Sequence, residues 1–270
     1  MATVKLSGAL RTEYQELFDA CQIRAQRANE VEKLCSSLIG NKDRYMAVAK
    51  SFAMPWHIVA VIHNMESSQN FNRHLHNGDP LTARTRNVPA GRPKSGEPPF
   101  SWEASAADAL GMKKFEDWTD WTIPGSLYRI EGYNGWGYRL YHPDVKSPYL
   151  WSGSNQYSAG KYVSDGTWSA TASSAQCGAA VLMRRLAERG DVETESHVPN
   201  AALMDAMKAK SALLRYSPKT VTPGGEALQR FLNQFPGIFL KLDGKLGKRT
   251  SDACQHIFGN YLVGDPRETS

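Results

Sequence analysis

The chain has 270 residues, of which 41% are hydrophobic and 22% charged, with a formal net charge of +5. That is room for one large domain, or a medium one with a small companion, at the composition of an ordinary globular protein. The modest positive charge suits an anionic partner, but no block of five or six like charges reads as a nucleic-acid arm. No window approaches 18 consecutive apolar residues, so no membrane span is expected.

The N-terminal stretch "MATVKLSGALRTEYQELFDACQ" lacks an apolar h-region, so no signal peptide is expected. Residues 8–39 read as one long amphipathic helix, with Leu10, Tyr14, Leu17, Phe18 and Cys21 at helical spacing and Gly40 as its end. On that reading Cys21 and Cys35 share a helix and stand roughly 20 Å apart, too far to bridge. The four cysteines, Cys21, Cys35, Cys177 and Cys254, form no C-x-x-C pair. They are expected as reduced thiols, with no zinc site.

Asp43 is placed to cap a short helix through Ser51, and Pro55 to open the next helix, to about Met65. Residues 68–100 carry eight Pro or Gly and read as an irregular loop, of a length that is more often functional than idle. "SWEASAADALGM" starts a helix capped by Ser101. "EDWTDWTIPGSLYRIEGYNGWGYR" reads as another helical segment with Pro124 as breaker, then a Gly-rich aromatic loop, within "EGYNGWGYR". "SPYLWSGSNQYSAGKYVSDGTW" is another aromatic loop, and "SSAQCGAAVLMRRLAERG" a helix ending at Gly190. Residues 191–221 read as a linker holding a helix at 199–214, and 222–270 as a small separate module.

Chemistry concentrates around Glu66. A carboxyl at the buried end of an apolar helix loses solvation, which disfavours its charged form and raises its pKa. A raised glutamate is what a general acid needs to protonate a glycosidic oxygen near neutral pH. Ser67 and Gln69 follow it, and Asp79 and Thr85 stand beyond with five residues between them. A second carboxylate with a threonine to hold it, or to hold water, would complete a two-carboxylate glycosidase site. "NGDP" is equally strong turn chemistry for Asp79. Tyr133 and Trp136 offer faces for sugar rings, Asn134 offers a donor and an acceptor, and Tyr157 stands in the next aromatic loop. The histidines have no metal-ligand spacing, so neither metal nor cofactor is expected.

"MESSQNF" resembles the Glu-Ser motif of lysozyme-like lytic transglycosylases and goose-type lysozymes, and "GYNG" their Tyr-Asn element. The resemblance covers roughly residues 40–190. It implies a mainly α, lysozyme-like catalytic domain over 1–190, with Glu66 as the acid and Tyr133 and Asn134 lining the cleft. The Asp79 and Thr85 spacing resembles phage-type lysozymes, although the interval from Glu66 is longer here. No Gly-Leu-Met-Gln-like segment follows the acid, as it does in transglycosylases. At the C-terminus Leu228, Gln229, Asp243, Gly244, Gly247 and Thr250 match the string of the small three-helix peptidoglycan-binding module, with Thr250 expected to cap a helix.

The resemblances together imply an enzyme cutting the β-1,4 bond between N-acetylmuramic acid and N-acetylglucosamine in peptidoglycan. Asp79 and Thr85 tilt the expectation towards hydrolysis, as in an endolysin. A lytic transglycosylase forming 1,6-anhydromuramyl ends needs the acid alone. Chitin cleavage and a non-catalytic wall-binding protein are the other readings. The expected setting is a monomer made in the cytoplasm that reaches the wall after release or by specialised export.

Overall fold

The computed structural model describes residues 4–164, 166–192, 201–233, 235, 238 and 240–268. It divides into two compact units, Met1–Leu186 and Ala187–Ser270. The described residues are mainly helical, with one two-stranded sheet. No described helix is long and apolar enough to cross a membrane.

In the first unit, α1 (Gly8–Asp19) is capped by the Ser7 hydroxyl, which accepts from the Leu10 N–H. It buries Leu10, Tyr14 and Phe18, one residue per turn. The helix expected to run through residue 39 breaks here, and α2 (Ala28–Gly40) starts afresh after a short 3₁₀ turn. Tertiary hydrogen bonds override the local pattern. Residues 22–24 run alongside 153–155: Asn155 N–H donates to Gln22 O, Gln22 N–H to Asn155 Oδ1, and Arg24 N–H to Gly153 O. Cys21 therefore lies outside both helices. All four cysteines are buried, and none is in a disulfide.

Next come α3 (Lys42–Lys50), with Asp43 in its first turn, and α4 (Trp56–Ser67), entered through Pro55. Helix α4 is the axis of the unit. Residues 57–65 are all buried, and α2, α3 and a later helix, α6, pack around it. Its two histidines are core residues. Burial pushes His57 and His63 down to about 4, and the Tyr45 hydroxyl meets His63 Nδ1 at 3.0 Å.

Helix α5 (Trp102–Met112), capped by Ser101, packs on α3. Pro124 does not break a helix. It sits in the first turn of α6 (Ile123–Asn134), where its missing N–H costs nothing, behind the capping Thr122. The segment expected as a Gly-rich loop is instead the last turn of α6, a tight turn at Gly135, and α7 (Gly137–Tyr141). Gly132 is needed because a Cβ there would lie 2.8 Å from the Trp136 ring. The unit closes with α8 (Pro148–Trp151), the hairpin β1 (Lys161–Ser164) and β2 (Thr167–Ser169), and α9 (Ala179–Glu188).

In the second unit, α10 (Ala201–Ser211) packs against α11 (Gly225–Leu232), which packs against α12 (Lys248–Phe258). The stretch read as a linker thus helps to build this unit. Met204, Met207, Leu214 and Tyr216 pack with Leu228, Phe231, Leu246 and Cys254 in its core. Gln229 explains the spacing of the C-terminal motif. Its buried amide oxygen accepts from the N–H groups of Asp243 and Gly244, and its amide nitrogen donates to Asp243 Oδ1 and Lys245 O. Thr250 does not cap α12: Gly247 occupies that position, and Thr250 lies buried one turn in.

Candidate active site

Glu66 and Ser67 are the last two residues of α4. The helix stops because Ser68 and Gln69 both turn left-handed, at φ 51° and 62°. Neither is glycine, so each costs of order 1–3 kcal/mol and must be held by its surroundings. Several contacts supply that hold. The Gln69 amide donates to Asn64 Oδ1 at 2.9 Å and to Leu34 O at 3.3 Å. The Gln176 amide donates to Met65 O at 2.6 Å. Gly78, at φ +77°, passes so close that a Cβ would stand 3.0 Å from the Glu66 carbonyl oxygen. The backbone carrying the carboxyl is therefore fixed from three directions.

The Glu66 side chain is partly exposed, as a group that must meet a ligand has to be, yet it is walled by enough protein to lose most of its hydration. The Tyr149 hydroxyl on α8 donates to Oε1 at 2.7 Å. Tyr133 of α6 is buried beside it, its hydroxyl fixed on Leu75 O at 2.9 Å. Lys113, at the end of α5, donates from Nζ to Tyr133 O at 3.0 Å. Burial dominates the electrostatics and pushes the Glu66 carboxyl up to about 7, with the Tyr149 hydrogen bond and the Lys113 charge pulling the other way. Burial and the neighbouring Glu66 charge keep both tyrosines well above their ordinary range, so both are neutral donors.

The other residues singled out from the sequence are placed differently. Ser67 is buried and its hydroxyl turns back towards His63 O at 3.5 Å. Asp79 is absorbed by its own loop. Its carboxylate accepts from the N–H groups of Arg86 and Asn87 at 2.8 and 2.9 Å, and from the side-chain amides of Asn87 and Asn77. Burial raises its pKa most, but these four donors together win and hold it below the usual carboxylate range. Thr85 is equally engaged: its hydroxyl donates to Pro89 O at 2.5 Å and accepts from Arg92 N–H at 2.9 Å. A carboxylate whose oxygens are filled and whose affinity for protons is lowered is a poor base.

Asn134 is exposed at the last position of α6. Trp136 is half-buried, packed on Tyr128 at 4.9 Å between ring centroids. Tyr157 belongs with the N-terminal segment: its hydroxyl bonds Gly160 and Ser174, and its carbonyl accepts from Arg24. The loop bearing Asp79 is itself tied to α5, where the His76 ring pairs with Asp108 at 2.8 Å, Arg92 meets the same carboxylate, and His74 Nδ1 meets the Ser105 hydroxyl at 2.7 Å.

Of the residues predicted for the site, the fold thus gathers Glu66 and Tyr133, and adds two that the sequence reading did not include, Tyr149 and Lys113. Tyr149 lies 83 positions from Glu66, in a segment that reads as an aromatic loop, and Lys113 reads as an ordinary lysine at a helix end. Among the described residues no group of three or more His, Cys, Asp or Glu is placed to hold a metal ion. The arrangement offers one carboxyl that is protonated near neutrality, with neutral hydroxyls and one cation around it. Comparison of the chain with models of known protein families, with characterised proteins and with solved structures finds no match.

Proposed function

We propose that the protein cleaves the β-1,4 bond between N-acetylmuramic acid and N-acetylglucosamine in peptidoglycan, with Glu66 as the general acid. The observation that carries this reading is the Glu66 carboxyl itself: partly exposed at a rigid helix end, hydrogen-bonded by Tyr149, and pushed up to about 7 by burial. Such a group is substantially protonated at neutral pH and can deliver its proton to a glycosidic oxygen as the bond breaks. The resemblance of "MESSQNF" and "GYNG" to the lysozyme-like superfamily supplies the substrate class, and Tyr133 would border the sugar beside the scissile bond.

The engagement of Asp79 and Thr85 favours a one-carboxyl course. With the Asp79 carboxylate filled by its own loop, the nucleophile is the muramyl 6-hydroxyl, and Glu66, once ionised, takes its proton. This is lytic transglycosylation, in place of the hydrolysis that the Asp79 and Thr85 spacing suggested. The second unit, whose motif resembles peptidoglycan-binding modules, would hold the enzyme on the polymer and raise its effective concentration there. Mass spectrometry of digested sacculi tests the reading. Fragments ending in 1,6-anhydromuramic acid are expected. Reducing ends would return the assignment to hydrolysis, and no soluble fragment at all would refute it.

A further inference from the structure

Lys113 is the residue near the acid that the proposed reaction does not yet use. It occupies the position after the last residue of α5, where a lysine commonly sits near the helix carbonyls. Here the side chain goes elsewhere. It is half-buried, its Nζ donates to the Tyr133 carbonyl at 3.0 Å, and it stands 5.3 Å from the centroid of the Tyr133 ring. Burying an ammonium is costly unless an anion answers it. Among the described residues, the groups acting on Glu66 are Tyr149 from α8, Tyr133 from α6 and Lys113 from the end of α5, and of these three Lys113 carries the charge. Arg129 of α6 faces Lys113 in turn.

We propose that Lys113 is a positioning residue for the acid: anchored on the Tyr133 carbonyl, its ammonium is the counter-charge for the Glu66 carboxylate formed when the proton leaves. The proposal rests on the reading of Glu66 as the acid. The set-back matters. An ammonium in direct salt-bridge contact would keep the carboxyl ionised and leave no proton to give. Fixed instead on a neutral carbonyl, Lys113 acts at longer range. It leaves Glu66 protonated near neutrality and still stabilises the anion, in surroundings where charge is weakly screened. Burial lowers the pKa of Lys113 itself, while Glu66 raises it and Arg129 lowers it again.

The test uses the full chain with Lys113→Met, Lys113→Gln and Lys113→Arg. The Glu66 carboxyl is titrated by ¹³C NMR, its signal assigned by its loss in Glu66→Gln, and sacculus cleavage is followed against pH. The neutral variants are expected to raise the Glu66 midpoint by about one pH unit and to carry the high-pH limb of the rate profile up with it. They are expected to lower kcat by about tenfold or more, with KM changed by less than about threefold, and Lys113→Arg to restore both. If Lys113→Met does not fold, Lys113→Gln, which can still donate to the Tyr133 carbonyl, carries the test. A Glu66 midpoint unchanged in a folded neutral variant overturns the proposal. The titration needs no substrate, so the two readings fail separately. A shifted midpoint together with full cleavage by Glu66→Gln would uphold the pair and remove the reaction. An unshifted midpoint with inactive Glu66→Gln would remove only the role of Lys113.

Discussion

Replacing Glu66 by Gln removes an ionisable group at nearly constant shape, and its effect on stability follows from the site. The carboxyl rises from 4.5 to about 7 on folding, chiefly through burial. As pH climbs from 4.5 to 7 the unfolded chain therefore gives up this proton first, the folded state holds more protons, and stability falls. Above about 7 both states are ionised and the loss is complete. The shift corresponds to at most about 3.4 kcal/mol. The side chain is partly exposed, and solvent screening leaves roughly 1–2 kcal/mol of that. Gln carries no such penalty, and its carbonyl oxygen can still accept from the Tyr149 hydroxyl. Glu66→Gln is therefore expected to match wild type below about pH 4 and to exceed it above pH 7 by that amount, a rise of about 2–8 °C in the melting temperature of the first unit. Calorimetry of both proteins at pH 4 and pH 8 measures it. Parallel stability curves at the two pH values would show that Glu66 is not desolvated, and the reasoning that makes it an acid would fall with them.

Tyr149→Phe removes the donor that stabilises the Glu66 carboxylate, so it should raise the high-pH limb of the rate profile and lower the rate by about 10-fold or more, read from sacculus cleavage against pH. Asp79→Asn should keep cleavage within about threefold of wild type. It should cost about 1 kcal/mol, because one amide now faces the Asn87 amide, and Asp79→Ala should cost more. Because the Asp79 pKa is lowered on folding, its stabilisation is present above the unfolded value of 3.8 and is lost as pH falls through the folded one, which acid denaturation of wild type and Asp79→Asn compares. Gln229→Ala empties the network that holds the Asp243–Gly244 turn and should cost the second unit about 2–4 kcal/mol. Retention on insoluble sacculi should weaken while cleavage of soluble glycan fragments persists.

The helices that carry the site were legible because their signals are local. Ser101 caps α5 and an apolar run makes α4, and both are read from a few adjacent residues. The failures came where a distant segment decides. The break after Asp19 is made by residues 153–155; Pro124, by contrast, is misread locally, because Thr122, two positions before it, caps the helix that contains it. The same holds at the site. Glu66 announces itself by its place at the end of α4. Tyr149 and Lys113 reach it only through tertiary packing, and nothing in their own neighbourhoods marks them. Asp79 and Thr85 are ambiguous in the sequence because a catalytic pair and a loop-stapling pair share one spacing. Only the donors around the carboxylate tell them apart.

The most direct measurement is release of soluble fragments from purified sacculi at pH 6, wild type against Glu66→Gln, with folding of both checked by calorimetry. Rapid release by wild type is expected, with a rate lower by about 10²–10⁴-fold for the variant. Equal release by a folded Glu66→Gln protein, or none by wild type, would contradict cleavage with Glu66 as the acid.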